Sequence, residues 1–165
     1  MSIAQAMLGE FEHELDTTRK FLKRIPENKL TWRPHEKSMT VGQLALHIAE
    51  VPMGVLDLAM HDQAAPPDMS EREQPATKLD VLDRLEKTAE HVRETLPTLT
   101  DERMRATVAI VQDGETLMAL PRAAFLRMIM LNHWYHHRGQ LGVYLRLLGE
   151  SVPAAYGPSG DESPF

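Results

Sequence analysis

Histidines are the residues of this chain most able to do chemistry. There are eight in 165 residues, and two of them, His133 and His137, stand four apart in the run NHWYHHRGQ. Residues i and i+4 of an α-helix share a face and are separated by a rise of about 6 Å, a spacing that lets two imidazoles meet one ion. Their row reads Leu126, Met130, His133, His137, Leu141, Tyr144, Leu148, in steps of three and four, and every other member is apolar or amphipathic. A second row, Leu44, His47, Val51, Val55, Leu58, sets one more histidine in an apolar seam.

Helical proteins put such seams face to face. A buried imidazole without partners costs about 1–3 kcal/mol per unsatisfied group, and protonating several neighbouring rings would place like charges in a low dielectric. A divalent cation removes both penalties by taking one nitrogen from each ring. Three His ligands leave at least one coordination position open, as catalytic sites do. Neutral nitrogen donors suit Zn, Ni, Cu or Fe. The same residues also fit ordinary helix and core histidines satisfied by protein partners; the seam register favours the metal. His136 competes as a ligand, but its own row (Ile129, Asn132, Gln140, Val143) is half polar, which favours His137.

Ligating histidines usually donate their second N–H to an oxygen. Glu50 lies one turn from His47, Gln140 one turn from His137, and Tyr144 and Gln43 one turn further out. Glu50, Gln140 and Tyr144 are the candidates for polarising a ligand or moving a proton, against solvated surface or core packing as the plainer roles. Arg138 is expected to bridge to a neighbouring helix. Trp32, Trp134 and the ten methionines could line an apolar pocket, although methionine at core spacing is more often filler. Glu10 and His13 form an ExxH pair, but a di-iron site needs a second one, and Met130 stands where its glutamate would be. There is no cysteine, so a thiol in any reaction must come from a small molecule.

The elements that must carry these residues are four helices. The first runs from about Ile3 to Lys23 along Met7, Phe11, Leu15, Thr18 and Leu22, and Pro26 and Asn28 stop it. Leu30–Lys37 is a loop with Trp32 tucked against the helices. The second helix starts at Thr40, whose spacing to Gln43 fits a capping box, and Pro52 is expected to kink it after His47. His61–Ala76 is a polar, proline-rich connection. Thr77 and Asp80 suggest a cap for the third helix, with the stripe Leu82, Leu85, Ala89, Val92, Leu96 and with Pro97 beyond its end. Asp113-Gly114 between β-prone runs in Ala106–Leu120 predicts a hairpin lying on the helices. The last helix is expected from about Pro121 to Leu148, capped by Gly149, with a turn-rich tail over the surface.

Length fits one domain, residues 1–165, and 42 % hydrophobic residues suffice for its core. No stretch is expected to match the roughly 18–20 apolar residues of a membrane span. Acidic residues follow the N-terminus closely, unlike a signal or transit peptide. A net charge of −6, with no dense Lys/Arg cluster, argues against a nucleic-acid partner. The absence of cysteine is compatible with a cytoplasmic location.

Asn132–Gly149 (NHWYHHRGQLGVYLRLLG), Leu30–Glu50 (LTWRPHEKSMTVGQLALHIAE) and Val152–Ser159 (VPAAYGPS) resemble the DinB-like (DinB/YfiT) superfamily over nearly the whole chain. The resemblance implies an all-α four-helix bundle in up-down-down-up order, here with a small β-hairpin between helices 3 and 4, often as a homodimer. It implies a divalent metal, commonly zinc or nickel, on His47, His133 and His137. For function it implies a metal-dependent enzyme that activates a low-molecular-weight thiol, such as bacillithiol or mycothiol, for transfer to an electrophile. The alternatives are a metal-dependent hydrolase using bound water and a non-catalytic metal-binding stress-response dimer.

Overall fold

A computed structural model describes residues 1–68 and 70–163. The chain is mostly helical, with a small three-stranded sheet. Helix α1 (Ile3–Lys23) starts in a capping box between Ser2 and Gln5 and buries Met7, Phe11, Leu15, Thr18 and Leu22, the row its spacing predicts. Helix α2 (Val41–Ala59) starts in the Thr40–Gln43 capping box, and α3 (Lys78–Thr95) in the Thr77–Asp80 box. On α3 the buried row is shifted by one residue at its start: Val81 is fully buried and Leu82 only partly.

Contacts run from α1 to α3, from α3 to α2, from α2 to the last helix and from there back to α1. The core lies inside this circuit. Helix α2 is, contrary to expectation, long and apolar enough by composition to cross a membrane. Its apolar surface goes instead into the protein interior, where 61 % of its most apolar stretch is buried. The chain stays helical through Pro52.

A short helix, α4 (Asp101–Arg105), capped by Thr100, precedes the hairpin. Strands β2 (Thr107–Gln112) and β3 (Glu115–Pro121) are antiparallel, and the turn carries Asp113 at φ 52° and Gly114 at φ 82°. Two successive positive φ values define the turn whose twist matches a hairpin, and they explain the Asp-Gly pair. The predicted lone hairpin is extended by β1 (Gln63–Ala64), which pairs parallel to β2 from within the proline-rich connection. Two residues of pairing leave no readable alternation in sequence, but they pin that connection to the hairpin.

The last helix is not uniformly α-helical. It comprises α5 (Arg122–Phe125), a π-helical segment (Leu126–Asn132) and α6 (His133–Leu147). A second row, Leu131, Trp134 and Arg138, also faces inward, and Leu131 is as fully buried as Leu126 and Met130. Three- and four-residue spacing alone does not distinguish such a turn from an α turn, and π segments concentrate at functional sites. Gly149, at φ 78°, follows the end of this helix as expected.

Two arginines that look like surface residues in sequence hold the frame internally. Arg122 is fully buried; its guanidinium donates to the carbonyls of Ala59, Arg103 and His61 and to Asp62. Arg138 pairs with buried Glu14 at 2.6 Å, donates to the Glu14 carbonyl and Thr18, and holds the tail through Tyr156 at 2.7 Å. The bridge expected of Arg138 is therefore an interior one, to α1.

Candidate metal centre

His47 on α2 and His133 and His137 on α6 converge. The Nε2 atoms of His47 and His133 are 3.2 Å apart, and those of His137 and His133 are 3.1 Å apart. The three rings stand nearly perpendicular to one another, at 84° to 89°, and one ligating atom from each lies within 4.8 Å of the others. His136 is exposed and outside this cluster, with its ring centroid 6.5 Å from that of His133. Glu10, of the ExxH pair, is tied to Arg127 at 2.5 Å and Tyr135 at 2.9 Å.

Two local features bring α2 and α6 together in this register. Pro52 has no N–H to give to the carbonyl four residues back, that of Ile48. The Trp134 indole N–H donates to that carbonyl at 2.8 Å, while its ring stacks on Phe11 at 5.2 Å. Ile48 follows His47 and Trp134 follows His133, so the bond ties the two helices beside the histidine pair. Trp134 is thus a core anchor and not a pocket wall. Pro52 thus leaves the Ile48 carbonyl open to a partner outside the helix.

A hydrogen-bond chain fixes the tautomer of His137. The Met39 carbonyl only accepts, so the Tyr144 hydroxyl donates to it at 3.3 Å. The Tyr144 oxygen accepts from the Gln140 amide N–H at 3.3 Å. Gln140 then presents Oε1 to His137 Nδ1 at 2.9 Å, which must carry the proton. The neutral His137 ring is left with a bare lone pair on Nε2, aimed at the cluster. Trp32 packs edge-on against Tyr144 at 5.8 Å. Gln140 and Tyr144 therefore reach a histidine of the cluster through this chain. Gln43 does not: its amide caps α2 and donates to the Arg72 carbonyl.

Electrostatics keep the rings neutral. Burial, aided by His137, His133 and Arg72, pushes His47 down to about 4. Burial also lowers His133, with His136 adding to it. His137 is lowered by burial against the opposing bond from Gln140. Three unprotonated rings cannot satisfy one another here, because the single proton or lone pair on His133 Nε2 cannot serve both neighbours. The donor set fits a cation. Ligands at about 2.0–2.1 Å in a tetrahedral arrangement stand roughly 3.3–3.4 Å apart, close to the spacings above.

Glu50 is placed differently from the other candidates. Its carboxylate pairs with Arg84 of α3, and burial raises it while Arg84 opposes and Glu73 adds. It lines two cavities that both reach His47. One, of about 160 Å³, is polar, between α2 and the connection with Arg72 and Glu73. The other, of about 560 Å³, also touches His133 and is walled by α2, the connection, the hairpin and the π segment. Arg72 went unseen in sequence because a connection without periodicity gives its residues no assignable direction.

Comparisons with known proteins agree with this architecture. The chain is 26 % identical over 157 residues to the uncharacterised protein YrdA of Bacillus subtilis strain 168, covering 94 % of this chain and 89 % of the relative. A DinB-like protein of Bacillus cereus ATCC 10987 superposes with a TM-score of 0.71 at 24 % identity, over 92 % of this chain and 97 % of that one. A DinB-like protein of Bacillus subtilis gives 0.72 at 22 % identity, with the same coverage. Both structures speak to the fold. The sequence model of the DinB family matches residues 1–163; this chain belongs to the DinB family.

Proposed function

We propose that this protein is a metal-dependent enzyme of small-molecule chemistry, built on an up-down-down-up four-helix bundle with His47, His133 and His137 as ligands. The observation that carries the reading is a three-nitrogen cluster held neutral and opening on two cavities. A walled-off centre would suit a sensor or a structural role instead. Neutral imidazole donors suit several divalent ions, of which zinc and nickel are those the family resemblance implies. When bound, it would supply Lewis acidity and lower the pKa of a water or thiol beside it.

The chain's own groups have defined parts. Gln140 and Tyr144 orient His137 through Nδ1. Burial keeps His47 and His133 unprotonated. Glu50, raised by burial on the shared cavity wall, is placed to hold a proton. With no cysteine in the chain, a soft nucleophile must be brought by a low-molecular-weight thiol, whose sulfur bonds to an electrophilic carbon as the leaving group departs and the thiol proton is released. We also propose a homodimer, supported by Val143 and Leu147, exposed at 59 % and 60 % and four residues apart on α6.

The test is turnover of monochlorobimane by zinc- or nickel-loaded protein across a panel of thiols including bacillithiol and mycothiol. The expected result is thiol-dependent turnover abolished by a chelator; no turnover with any thiol overturns the transferase reading. A second reading, ester hydrolysis by metal-activated water, is supported by the Glu50 carboxylate on the cavity wall. It would show as chelator-sensitive cleavage of para-nitrophenyl acetate without thiol.

A further inference from the structure

The larger cavity has a sharp division of chemistry. Its ionisable lining groups are His47, His133 and Glu50 at the cluster end. The remainder is apolar, including Val51, Val55 and Leu58 of α2, Ile110 and Met118 of the sheet and Ile129 of the π segment. No lysine, arginine or aspartate lines it among the described residues. Even the connection is adapted to this: Pro66 and Pro67 face the cavity and bring no backbone N–H that would lack a partner there. The β1–β2 pairing holds that wall against the hairpin.

We propose that this cavity binds an uncharged, apolar group of the substrate, with the reacting end directed at the three histidines. The proposal rests on the enzyme reading above for calling the occupant a substrate. A charged group in the apolar part would lose its hydration without gaining a partner. Size is informative as well. A dry cavity of about 150 Å³ accepts benzene, so about 560 Å³ corresponds to a fused or biaryl ring system or a medium alkyl chain. The volume also lies within the range of small-molecule sites.

Gly54 supplies a clean test. It sits in the cavity wall on α2, and a Cβ built on it meets no atom within 4 Å. A larger side chain there would enter open cavity space without displacing the histidines, and replacing a mid-helix glycine removes a helix penalty.

The probe is phenylnaphthylamine, an uncharged fluorophore, titrated into the zinc-loaded full chain. Saturable binding at one site per chain is expected, weakened about tenfold or more by Gly54→Leu, with metal content and Tm maintained. Leu117→Lys, at a lining position that is 57 % exposed, should weaken binding in the same direction and guards against a folding defect in the first variant. Absence of saturable binding, or equal binding by both variants, overturns the proposal. So does probe binding that appears only on dilution of a dimer, which would assign the cavity to a second copy of the chain. Probe binding requires no thiol and no turnover. If it holds while all turnover fails, the enzyme reading falls and the apolar site stands; thiol transfer to chloromethylnaphthalene unaffected by Gly54→Leu would overturn the site and leave the enzyme reading.

Discussion

His47 and His133 are 86 positions apart in the chain, and their Nε2 atoms lie 3.2 Å from each other. Two neutral rings at this distance could share one proton. A third ring, His137, approaches the same His133 nitrogen at 3.1 Å, and that nitrogen cannot satisfy both. A shared cation accounts for all three.

Removing one ligand should therefore empty the site. His47→Ala and His137→Ala are expected to lose stoichiometric metal after purification and desalting, while His136→Ala retains it. Elemental analysis of the three proteins decides this. Full metal in His137→Ala would move the third ligand to His136 or dissolve the site.

Gln140→Leu breaks the bond that keeps the proton on His137 Nδ1. Losses of this kind cost about 10–100-fold in metal affinity. Tyr144→Phe leaves the Gln140 bond in place and should cost less. Competition against a chromophoric chelator measures both; equal affinity in Gln140→Leu and wild type would deny Gln140 an orienting role.

The metal-free protein should lose stability on mild acidification. His47 sits near 4 when folded and about 6.5 when unfolded, and His133 and His137 are lowered too. Below pH 6.5 the unfolded chain binds more protons than the folded one, so stability falls as pH drops towards 4. Urea midpoints at pH 7.5 and 5.5 should show the decline, with a smaller slope in His47→Asn. A midpoint that rises on acidification would contradict neutral burial of these rings.

The Ile48 carbonyl couples Pro52 to Trp134. Trp134→Phe orphans that carbonyl at a cost of about 1–3 kcal/mol beyond lost packing. In a Pro52→Ala background a backbone N–H can replace the indole, so the same change should cost less. A double-mutant cycle in urea measures the difference, and additivity within about 0.5 kcal/mol would show that the proline and the indole act independently.

Arg138 and Glu14 form a buried pair, 3 % and 6 % exposed. Arg138→Met leaves the Glu14 carboxylate in the interior without its cation and with the Tyr156 hydroxyl as a donor, worth about 3–5 kcal/mol. Adding Glu14→Leu should recover much of it. Chemical denaturation of the single and double variants checks the sign; a double variant no more stable than the single one would place the loss in packing and not in charge.

The amino-acid sequence by itself determined the helices, their caps and which rows face inward. Capping and amphipathic periodicity are local: Thr40 and Thr77 stand out by their spacing to Gln43 and Asp80, and Ser2 has the same spacing to Gln5. It also singled out His47, His133 and His137, because a polar ring in an apolar row is visible without coordinates. Tertiary structure alone decided that the rings meet, since no local pattern sets the distance between α2 and α6; Pro52 and Trp134 contribute to that through a carbonyl shared across 86 residues. It also decided the π segment, which three- and four-residue spacing does not distinguish from an α turn, and the β1 pairing and the burial of Arg122, whose partners include groups far along the chain. The cavity belongs to the same class: its walls come from four separate stretches, and an empty volume has no residue of its own to be read.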